Sequence, residues 1–330
     1  MKSILKDYLI KFASIFGGAL ISKIELSRYK LHLVNAIDEL VEKEKTNYSK
    51  VGLSCIIFSK DRAIQLYSLI ETYQKFVKNP VEMYIIYNTS SNDHELSYLE
   101  LSNMINDFSF KINFIKEKNS FRETLLDVFS KIKTKNFFFL TDDDIFIRNI
   151  DFNILSDINP QNTILSLRHN PKISFSYTAD ANFKPPNFNK YKSKLNLNEF
   201  NWFDSGYEWA DPCSVNGHIY LTAEFSVISR ISSYKLPNSY ESALKSFDFL
   251  MINRKGLCYD ESIIMNLPMN IVQTEYKNLH GSVSTDQLLE RWKKGYKLDV
   301  NFLENVKINS THVNKVIDFI ERKKYTSSKE

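Results

Sequence analysis

Residues 137–144 read Phe-Phe-Phe-Leu-Thr-Asp-Asp-Asp, an apolar run that ends in three consecutive acids. The apolar residues predict a buried strand. Three adjacent carboxylates repel one another, so this strand end favours a positive partner among them. The alternative is a solvated acidic turn. The apolar run Ile145-Phe146-Ile147 follows at once, and acids between two apolar runs are hard to place on a surface. Carboxylate oxygens at a strand end suit Mg²⁺ or Mn²⁺ that is itself bound to phosphate.

Strands and helices alternate on the N-terminal side of this stretch. The pattern predicts strands over 51–58, 81–87, 111–115 and 137–140, and helices over 61–76, 95–108 and 120–132. This order predicts an α/β fold with a mostly parallel sheet flanked by helices. Ligands of such sheets bind at the carboxyl ends of the strands. Ser59–Arg62, Asn88–Ser90 and Asp142–Asp144 all follow strands, so we expect them to converge on one cleft.

The remaining segments are less regular. They predict strands over 164–167 and 218–221, helices over 24–45, 239–247 and 285–294, and a basic helical tail over 301–330. Residues 179–211 read as a long loop, and loops of this length are usually functional or mobile.

The N-terminal segment, residues 1–50, is predicted to be helical. Residues 8–21 are apolar but too short to span a membrane. Residues 1–30 hold six basic residues against two acidic ones, so the segment can lie on an anionic membrane surface. The alternative is a helix packed on the main domain or on a second subunit of a homo-oligomer.

Composition excludes several classes of protein. The 330 residues are 43% hydrophobic and 25% charged, with a formal charge of +4, which is typical of a globular protein and gives no concentrated basic face for nucleic acid. Cys55, Cys213 and Cys258 are widely spaced. They favour neither zinc nor a disulfide framework, and they indicate a reducing, cytoplasmic compartment.

Over residues 51–285 the chain resembles nucleotide-sugar glycosyltransferases of the GT-A fold, which is Rossmann-like. The resemblance rests on the loop Phe58–Arg62, on Asn88, on the helix start at 119–122, and on Asp142–Asp144 as an Asp-x-Asp motif. It implies a nucleotide-sugar-binding half over 51–150 and an acceptor-binding half over 151–300. Segments 216–220, 237–241 and 266–273 resemble a bacterial branch associated with surface-polysaccharide synthesis.

The resemblance implies roles for residues of the first half. Those implied to bind the nucleotide sugar are Ser59, Asp61, Arg62, Asn88, Asn119, Arg122, Asp142 and Asp143. Asp142 and Asp144 are the expected metal ligands, with Asp142 also facing the ribose. Strand alternation turns Asp143 away from either the ribose or the metal. Two alternatives stay open: Arg62 can form a structural ion pair with a neighbouring acid, and Arg122 can be a surface arginine.

The resemblance also implies roles for residues of the second half. His280 is the best match to a late-chain metal ligand, and His218 is its competitor. Glu241 is the expected catalytic base of an inverting reaction, with Asp211 and Glu208 as alternatives. The aromatic side chains Trp202, Tyr207 and Trp209, with Phe203 beside them, are either an acceptor platform or a small satellite core.

Together these features predict a metal-dependent glycosyltransferase that uses Mn²⁺ or Mg²⁺. The expected donor is a nucleoside diphosphate sugar, with UDP as the favoured nucleotide. The expected acceptor is a glycan or lipid-linked glycan, at the inner face of the plasma membrane. A sugar-phosphate nucleotidyltransferase is the first alternative, although the loop Ser59–Arg62 lacks the glycines expected of it. A retaining glycosyltransferase is the second.

Overall fold

The computed structural model describes residues 23–105, 108–193, 195–270, 283–313 and 317–322. Within these ranges there are seven α-helices. They are α1 (Lys23–Glu44), α2 (Ala63–Phe76), α3 (Asn92–Met104), α4 (Phe121–Lys131), α5 (Thr222–Ile231), α6 (Pro237–Lys245) and α7 (Thr285–Lys293).

The same ranges contain several sheets. The strands are β1 (Lys50–Lys60), β2 (Val77–Lys78), β3 (Glu82–Asn88), β4 (Ile112–Lys116), β5 (Thr134–Thr141), β6 (Asp144–Phe146), β7 (Ile150–Asp151), β8 (Thr163–Ser166), β9 (Phe175–Ser176), β10 (Ala181–Asn182), β11 (Asn189–Lys190), β12 (Leu197–Asn201), β13 (Ile219–Leu221), β14 (Lys255–Tyr259), β15 (Ile264–Asn266), β16 (Tyr296–Leu298) and β17 (Phe319–Glu321).

The central sheet has five strands in the order β13-β5-β1-β3-β4. Strands β5, β1, β3 and β4 are parallel to their neighbours, and β13 runs antiparallel to β5. The predicted α/β class with a mostly parallel sheet flanked by helices is therefore confirmed. The chain builds outward from β1 to β4 and then returns to the other side of β1 with β5. This reversal creates a crevice between the carboxyl ends of β1 and β5, where ligands of such sheets bind.

The apolar runs form elements because both faces of the sheet are covered. Phe137, Phe138 and Phe139 are fully buried in β5, and the rings of Phe137 and Phe139 meet edge to face at 4.8 Å. Ser120 caps α4, because its hydroxyl accepts a hydrogen bond from the backbone N–H of Glu123. A buried β5 and a capped α4 fix where the acids after β5 emerge.

A second sheet has four strands in the order β11-β12-β14-β8. Two of its strands, β11 and β12, lie inside the segment 179–211 that the sequence predicts as a loop. That prediction is wrong for these residues, because Leu197 and Phe200 of β12 are buried and the strand pairs antiparallel with β14. Residues 203–211, which follow β12, contain a short 3₁₀ turn at Tyr207–Ala210 and no longer strand or helix.

Helix α1 packs on α5. Ile37 and Val41 are buried there, and Glu44 forms an ion pair with Arg230, with Oε2 and Nη2 2.7 Å apart. No helix in the described ranges is long and apolar enough to cross a membrane. The apolar segment 8–21, with its predicted membrane-surface or subunit contact, lies outside the described residues.

The predicted basic helical tail over 301–330 is wrong where the structure describes it. Asn301–Leu303 form only a short 3₁₀ turn, and β17 pairs antiparallel with β16. Arg322 donates to the carbonyl of Trp292 at 2.7 Å and stacks over its ring at 3.5 Å. These contacts hold the segment extended against α7. Residues 323–330 lie outside the described residues.

Candidate active site

A cleft of about 690 Å³ opens at the carboxyl ends of β1, β3 and β5. Its lining includes nine of the residues singled out from the sequence, namely Ser59, Arg62, Asn88, Asp142, Asp143, Tyr207, Glu208, Asp211 and Glu241. The expected convergence of strand ends therefore occurs. The second half of the chain supplies the opposite wall.

Asp142 lies at the floor of this cleft. One carboxylate oxygen accepts hydrogen bonds from the Ser59 hydroxyl at 2.8 Å and from the Lys60 backbone N–H at 3.1 Å. The other accepts from Arg62 Nη1 at 2.9 Å. Burial raises the pKa of Asp142 to about 6, the charge of Asp143 adds to the rise, and Arg62 opposes it. Asp142 thus ties the end of β5 to the loop after β1.

Arg62 is the positive partner that the acid cluster requires. Its Nη1 lies 2.9 Å from Asp142 and 3.3 Å from Asp143, and its Nη2 donates to the carbonyl oxygen of Asn270 at 2.6 Å. Of the two alternatives drawn from the sequence, the structure thus shows the ion pair with neighbouring acids. Arg62 still lines the cleft, so its charge is also within reach of a ligand.

Asp143 and Asp144 are placed opposite to expectation. The Asp143 side chain is 13% exposed and lines the cleft. Asp144 is 1% exposed and is not among the lining residues. The cause is a turn at residues 142 and 143, so the side chains do not alternate as in a strand. An oxygen of Asp144 accepts from the Thr141 backbone N–H at 2.8 Å, which closes this turn.

Asp144 has the surroundings of a structural residue. Burial raises its pKa to about 7, and the charge of Asp143 contributes to the rise. Asn266, opposite Asp144 on β15, donates to Asp144 at 3.4 Å and to Asp143 at 2.7 Å. The acid with access to the cleft beside Asp142 is therefore Asp143.

At the end of the cleft next to β1 and β3, Ser59 and Asn88 line it with Phe58, Tyr87 and Glu117. Three other predicted residues lie elsewhere, for local reasons. Asp61 adopts a left-handed conformation (φ 56°), and its carboxylate accepts from the Ser90 backbone N–H at 2.7 Å. Asn119 is exposed and is not a lining residue. Arg122 donates to the carbonyl oxygen of Arg230 at 2.6 Å, at the end of α5, so it does not reach the cleft.

The three candidate bases lie on the opposite wall. Glu241, in α6, accepts long hydrogen bonds from the Ser214 hydroxyl at 3.4 Å and from the Val215 backbone N–H at 3.5 Å, and its other contacts with described residues are weaker. Burial raises the pKa of Glu241, and the charge of Asp211 raises it further. A raised pKa and weakly engaged oxygens are properties of a general base.

Glu208 and Asp211 remain alternatives. Each has one buried carboxylate oxygen with no hydrogen-bond partner among the described residues. Both line the cleft. The negative charge of Asp211 is one of the causes of the raised pKa of Glu241.

Of the two histidines expected as metal ligands, the structure describes His218 only. His218 is fully buried and packs against Trp202 at 5.4 Å, and burial lowers its pKa well below the usual range. It is not a lining residue. His280 lies outside the described residues. His312, to which the sequence gave no role, lines the cleft. Its pKa is lowered to about 4 by burial and by the charge of Arg168, so its imidazole is neutral near pH 7.

The aromatic side chains divide into two groups. Trp202 and Trp209 are buried with Phe200, whose ring centroid lies 4.8 Å from both. They are part of the hydrophobic core and do not form an acceptor platform, and this core is continuous with that of the central sheet. Tyr207 is 48% exposed, lines the cleft and stacks on Phe183 at 5.2 Å. Its left-handed backbone (φ 56°) is strained for an aromatic residue.

Arg168 is a second cleft residue that sequence reasoning missed. It comes two residues after β8, is 4% exposed and lines the cleft. A signal existed, because an arginine directly after the apolar stretch 164–167 stands at a strand end like the acids after β5. His312 had no such signal, since it follows no strand.

These features define an α/β protein with a polar cleft at the reversal point of its sheet. No family model matches the chain. A curated relative, the bifunctional glycosyltransferase pgtA of Dictyostelium discoideum, is 26% identical over 207 residues. The match covers 57% of this chain and 26% of the relative, so it spans about a quarter of that protein's length.

Solved structures show weaker likenesses. S. aureus TarS 1–349 in complex with UDP-GlcNAc has a TM-score of 0.42 at 16% identity, covering 71% of this chain and 61% of TarS. The 4-diphosphocytidyl-2C-methyl-D-erythritol synthase of Anaerococcus prevotii has a TM-score of 0.38 at 11% identity, covering 73% of this chain and 96% of the synthase.

Proposed function

We propose that this chain is a glycosyltransferase that uses a nucleoside diphosphate sugar as donor. One observation carries the proposal: the crevice between β1 and β5 brings Ser59, Arg62, Asp142 and Asp143 together, and the carboxylates of Glu241 and Asp211 line the same cleft. The first group suits a nucleotide with its phosphates, and the pair suits removal of a proton from an acceptor hydroxyl. The curated glycosyltransferase relative supports the same class.

The proposed reaction is a single displacement with inversion. The acceptor hydroxyl oxygen attacks the anomeric carbon of the donor, and Glu241 takes the hydroxyl proton. The bond from the anomeric carbon to the diphosphate oxygen breaks, and the nucleoside diphosphate leaves with the bonding electron pair. Removing the proton as the new bond forms is the step for which a carboxylate with a raised pKa is suited.

Mn²⁺ or Mg²⁺ fits the donor atoms of this cleft. No group of three or more His, Cys, Asp or Glu side chains in the described ranges is arranged to hold a metal. Asp143 and His312 nevertheless line the same cleft, and Mg²⁺ is commonly held by one or two protein ligands with substrate phosphates and water. We assign the ion to Asp143, with Asp142 and His312 beside it. When bound, it would offset the negative charge of the leaving diphosphate.

The finer assignments belong to the same proposal. Ser59 and Asn88 would contact the nucleoside, with UDP as the favoured nucleotide, and Tyr207 would stack on the acceptor sugar. The acceptor is proposed to be a surface glycan or its lipid-linked precursor in a bacterium. A cytoplasmic location, contact with the inner face of the plasma membrane, and a homo-oligomer stay predictions.

A product assay tests the proposal. The protein is incubated with Mn²⁺ and a panel of nucleotide sugars, and the release of nucleoside diphosphate is measured with and without a chelator. We expect release from at least one donor, and its loss with the chelator. Release of pyrophosphate from a nucleoside triphosphate and a sugar phosphate would instead support a nucleotidyltransferase. Retained anomeric configuration in the product would contradict the single displacement.

A further inference from the structure

Arg168 is a buried cation whose hydrogen-bonding capacity is unused. The guanidinium donates no hydrogen bond to any residue in the described ranges, and its Nε is buried without an acceptor. Its ion-pair partner there is Asp211, with Nη2 and Oδ2 3.9 Å apart, beyond hydrogen-bond distance. Leaving the donors of a buried charge unmatched costs free energy. A residue kept in this state is suited to a ligand that supplies the missing acceptors.

Other buried or half-buried arginines of the described chain donate side-chain hydrogen bonds, although the Nε atoms of Arg62 and Arg322 are also buried without an acceptor. Arg62 is bound by two carboxylates and a carbonyl oxygen. Arg148 donates to three backbone carbonyl oxygens. Arg254 grips both oxygens of Glu224, at 2.7 and 2.5 Å. Arg168 differs from all three, and it is also a lining residue of the cleft.

The backbone holds Arg168 firmly at this place. Leu167 donates to the carbonyl oxygen of Gly217 at 2.8 Å, and the carbonyl oxygen of Arg168 accepts from the Ser262 hydroxyl at 2.7 Å. These bonds tie the end of β8 to the segment before β13 and to the loop before β15. The guanidinium is thus presented to the cleft from a rigid support, as a preorganised binding residue requires.

We propose that Arg168 binds a phosphate group of a substrate in the cleft that also contains Asp143 and Glu241. A guanidinium presents its N–H donors as a planar fork that matches two phosphate oxygens. The phosphate has two possible sources: the diphosphate of the donor nucleotide, or a phosphate carried by the acceptor. If the phosphate belongs to the donor nucleotide, the inference rests on the proposed function. If it belongs to the acceptor, the inference rests only on the unmatched donors of Arg168 in the cleft.

Calorimetric titration distinguishes these sources. The ligands are UDP, GDP, CDP and ADP with their monophosphates, each with Mn²⁺, and glycerol phosphate added to the protein with and without the diphosphate. If Arg168 binds the donor, Arg168→Met weakens diphosphate binding by about tenfold or more and leaves the monophosphate unchanged. If it binds the acceptor, the replacement abolishes glycerol phosphate binding and spares the nucleotide. Arg168→Lys keeps the positive charge but lacks the planar fork of donors. Its affinity for the ligand should lie between those of wild type and Arg168→Met.

A matched variant controls for the loss of a buried arginine. Arg254→Met breaks an ion pair outside the cleft lining, so it should lower the melting temperature more than Arg168→Met and leave ligand affinity unchanged. Equal affinities of wild type, Arg168→Met and Arg168→Lys for both kinds of ligand overturn the inference, as does wild-type protein that binds neither. Wild-type protein that binds glycerol phosphate through Arg168 but no nucleoside diphosphate contradicts only the proposed function.

Discussion

At the scale of single residues, the clearest contrast is between two neighbouring acids. Asp143 lines the cleft beside Arg62, whereas Asp144 is buried behind it and holds the Thr141 backbone N–H. The sequence shows three identical letters. Their roles separate only because a turn begins directly after β5, so burial and hydrogen bonding differ at each position.

Asparagine replacements at the two positions test this contrast, because they change shape and charge equally. Asp143→Asn should lower the transferase rate by about 10²-fold or more, since under the proposed function it removes a charge that would face the donor phosphates and their ion. Asp144→Asn should stay within about tenfold of wild type, since its amide oxygen can still accept from Thr141. The measurement is nucleoside diphosphate release under saturating donor. If Asp144→Asn loses more activity than Asp143→Asn, Asp144 and not Asp143 is the functional acid, as strand alternation predicts from the sequence.

Glu241 makes a prediction about pH. The proposed role as a base requires Glu241 to be ionised, and its pKa is raised by burial and by the charge of Asp211. Activity should therefore fall as the pH drops through that raised pKa, so the acidic limb of kcat/KM lies above the ordinary range of glutamate. Asp211→Asn removes the like charge and should move the limb to lower pH. Glu241→Gln should cost about 10²- to 10⁴-fold in rate. An acidic limb that Asp211→Asn leaves in place would show that Glu241 is not the group whose titration sets it.

At the scale of elements, the second sheet supports the wall that carries Glu208 and Asp211. Gly256 of β14 lies under the ring of Phe200, where an added Cβ would come within 2.2 Å of that ring. The Phe200 ring in turn packs on Trp209, next to Glu208. The glycine thus allows the close packing that positions this part of the wall.

Alanine replacements compare two glycines of this region. Gly256→Ala should lower the free energy of unfolding by about 1–3 kcal/mol, because the Phe200 ring must move within a packed cluster. At Gly206 no described atom lies within 4 Å of an added Cβ, and Gly206→Ala should stay within about 0.5 kcal/mol of wild type. Urea denaturation measures both. Equal stabilities would show that the Phe200 cluster is loosely packed.

Helices and strands with a strong pattern of apolar residues could be predicted from the sequence. Strands that depend on a partner far along the chain could not. The alternating runs between residues 51 and 141 gave every strand of the parallel sheet and the helices between them, because burial on both faces imposes long apolar runs. Strand β12 and strand β17 were missed. Both are short, and each is stabilised by a partner far along the chain, β14 and β16. The local sequence pattern of a short strand does not indicate which distant strand it pairs with.

At the scale of the whole molecule, the same difference separates the two walls of the cleft. The wall from β1 and β5 could be predicted, because carboxyl ends of parallel strands meet at one edge. The opposite wall could be predicted only in part: Glu241 and Asp211 were found through a resemblance, whereas Arg168 and His312 reach the cleft through long-range packing. Trp202 and Trp209 were ambiguous for the same reason, since only the fold decides whether an aromatic side chain faces a core or a ligand.

Hydrogen–deuterium exchange of the protein, measured with and without UDP and Mn²⁺, is the most direct test of the claim that this cleft binds the nucleotide. The predicted result is slower exchange at the end of β1 (residues 58–62), at the turn after β5 (residues 141–143) and at the start of α6 (residues 236–241), because all three line the cleft. Helix α1, which does not line it, should be unchanged. Protection confined to other elements, or none at a saturating nucleotide concentration, would contradict the account.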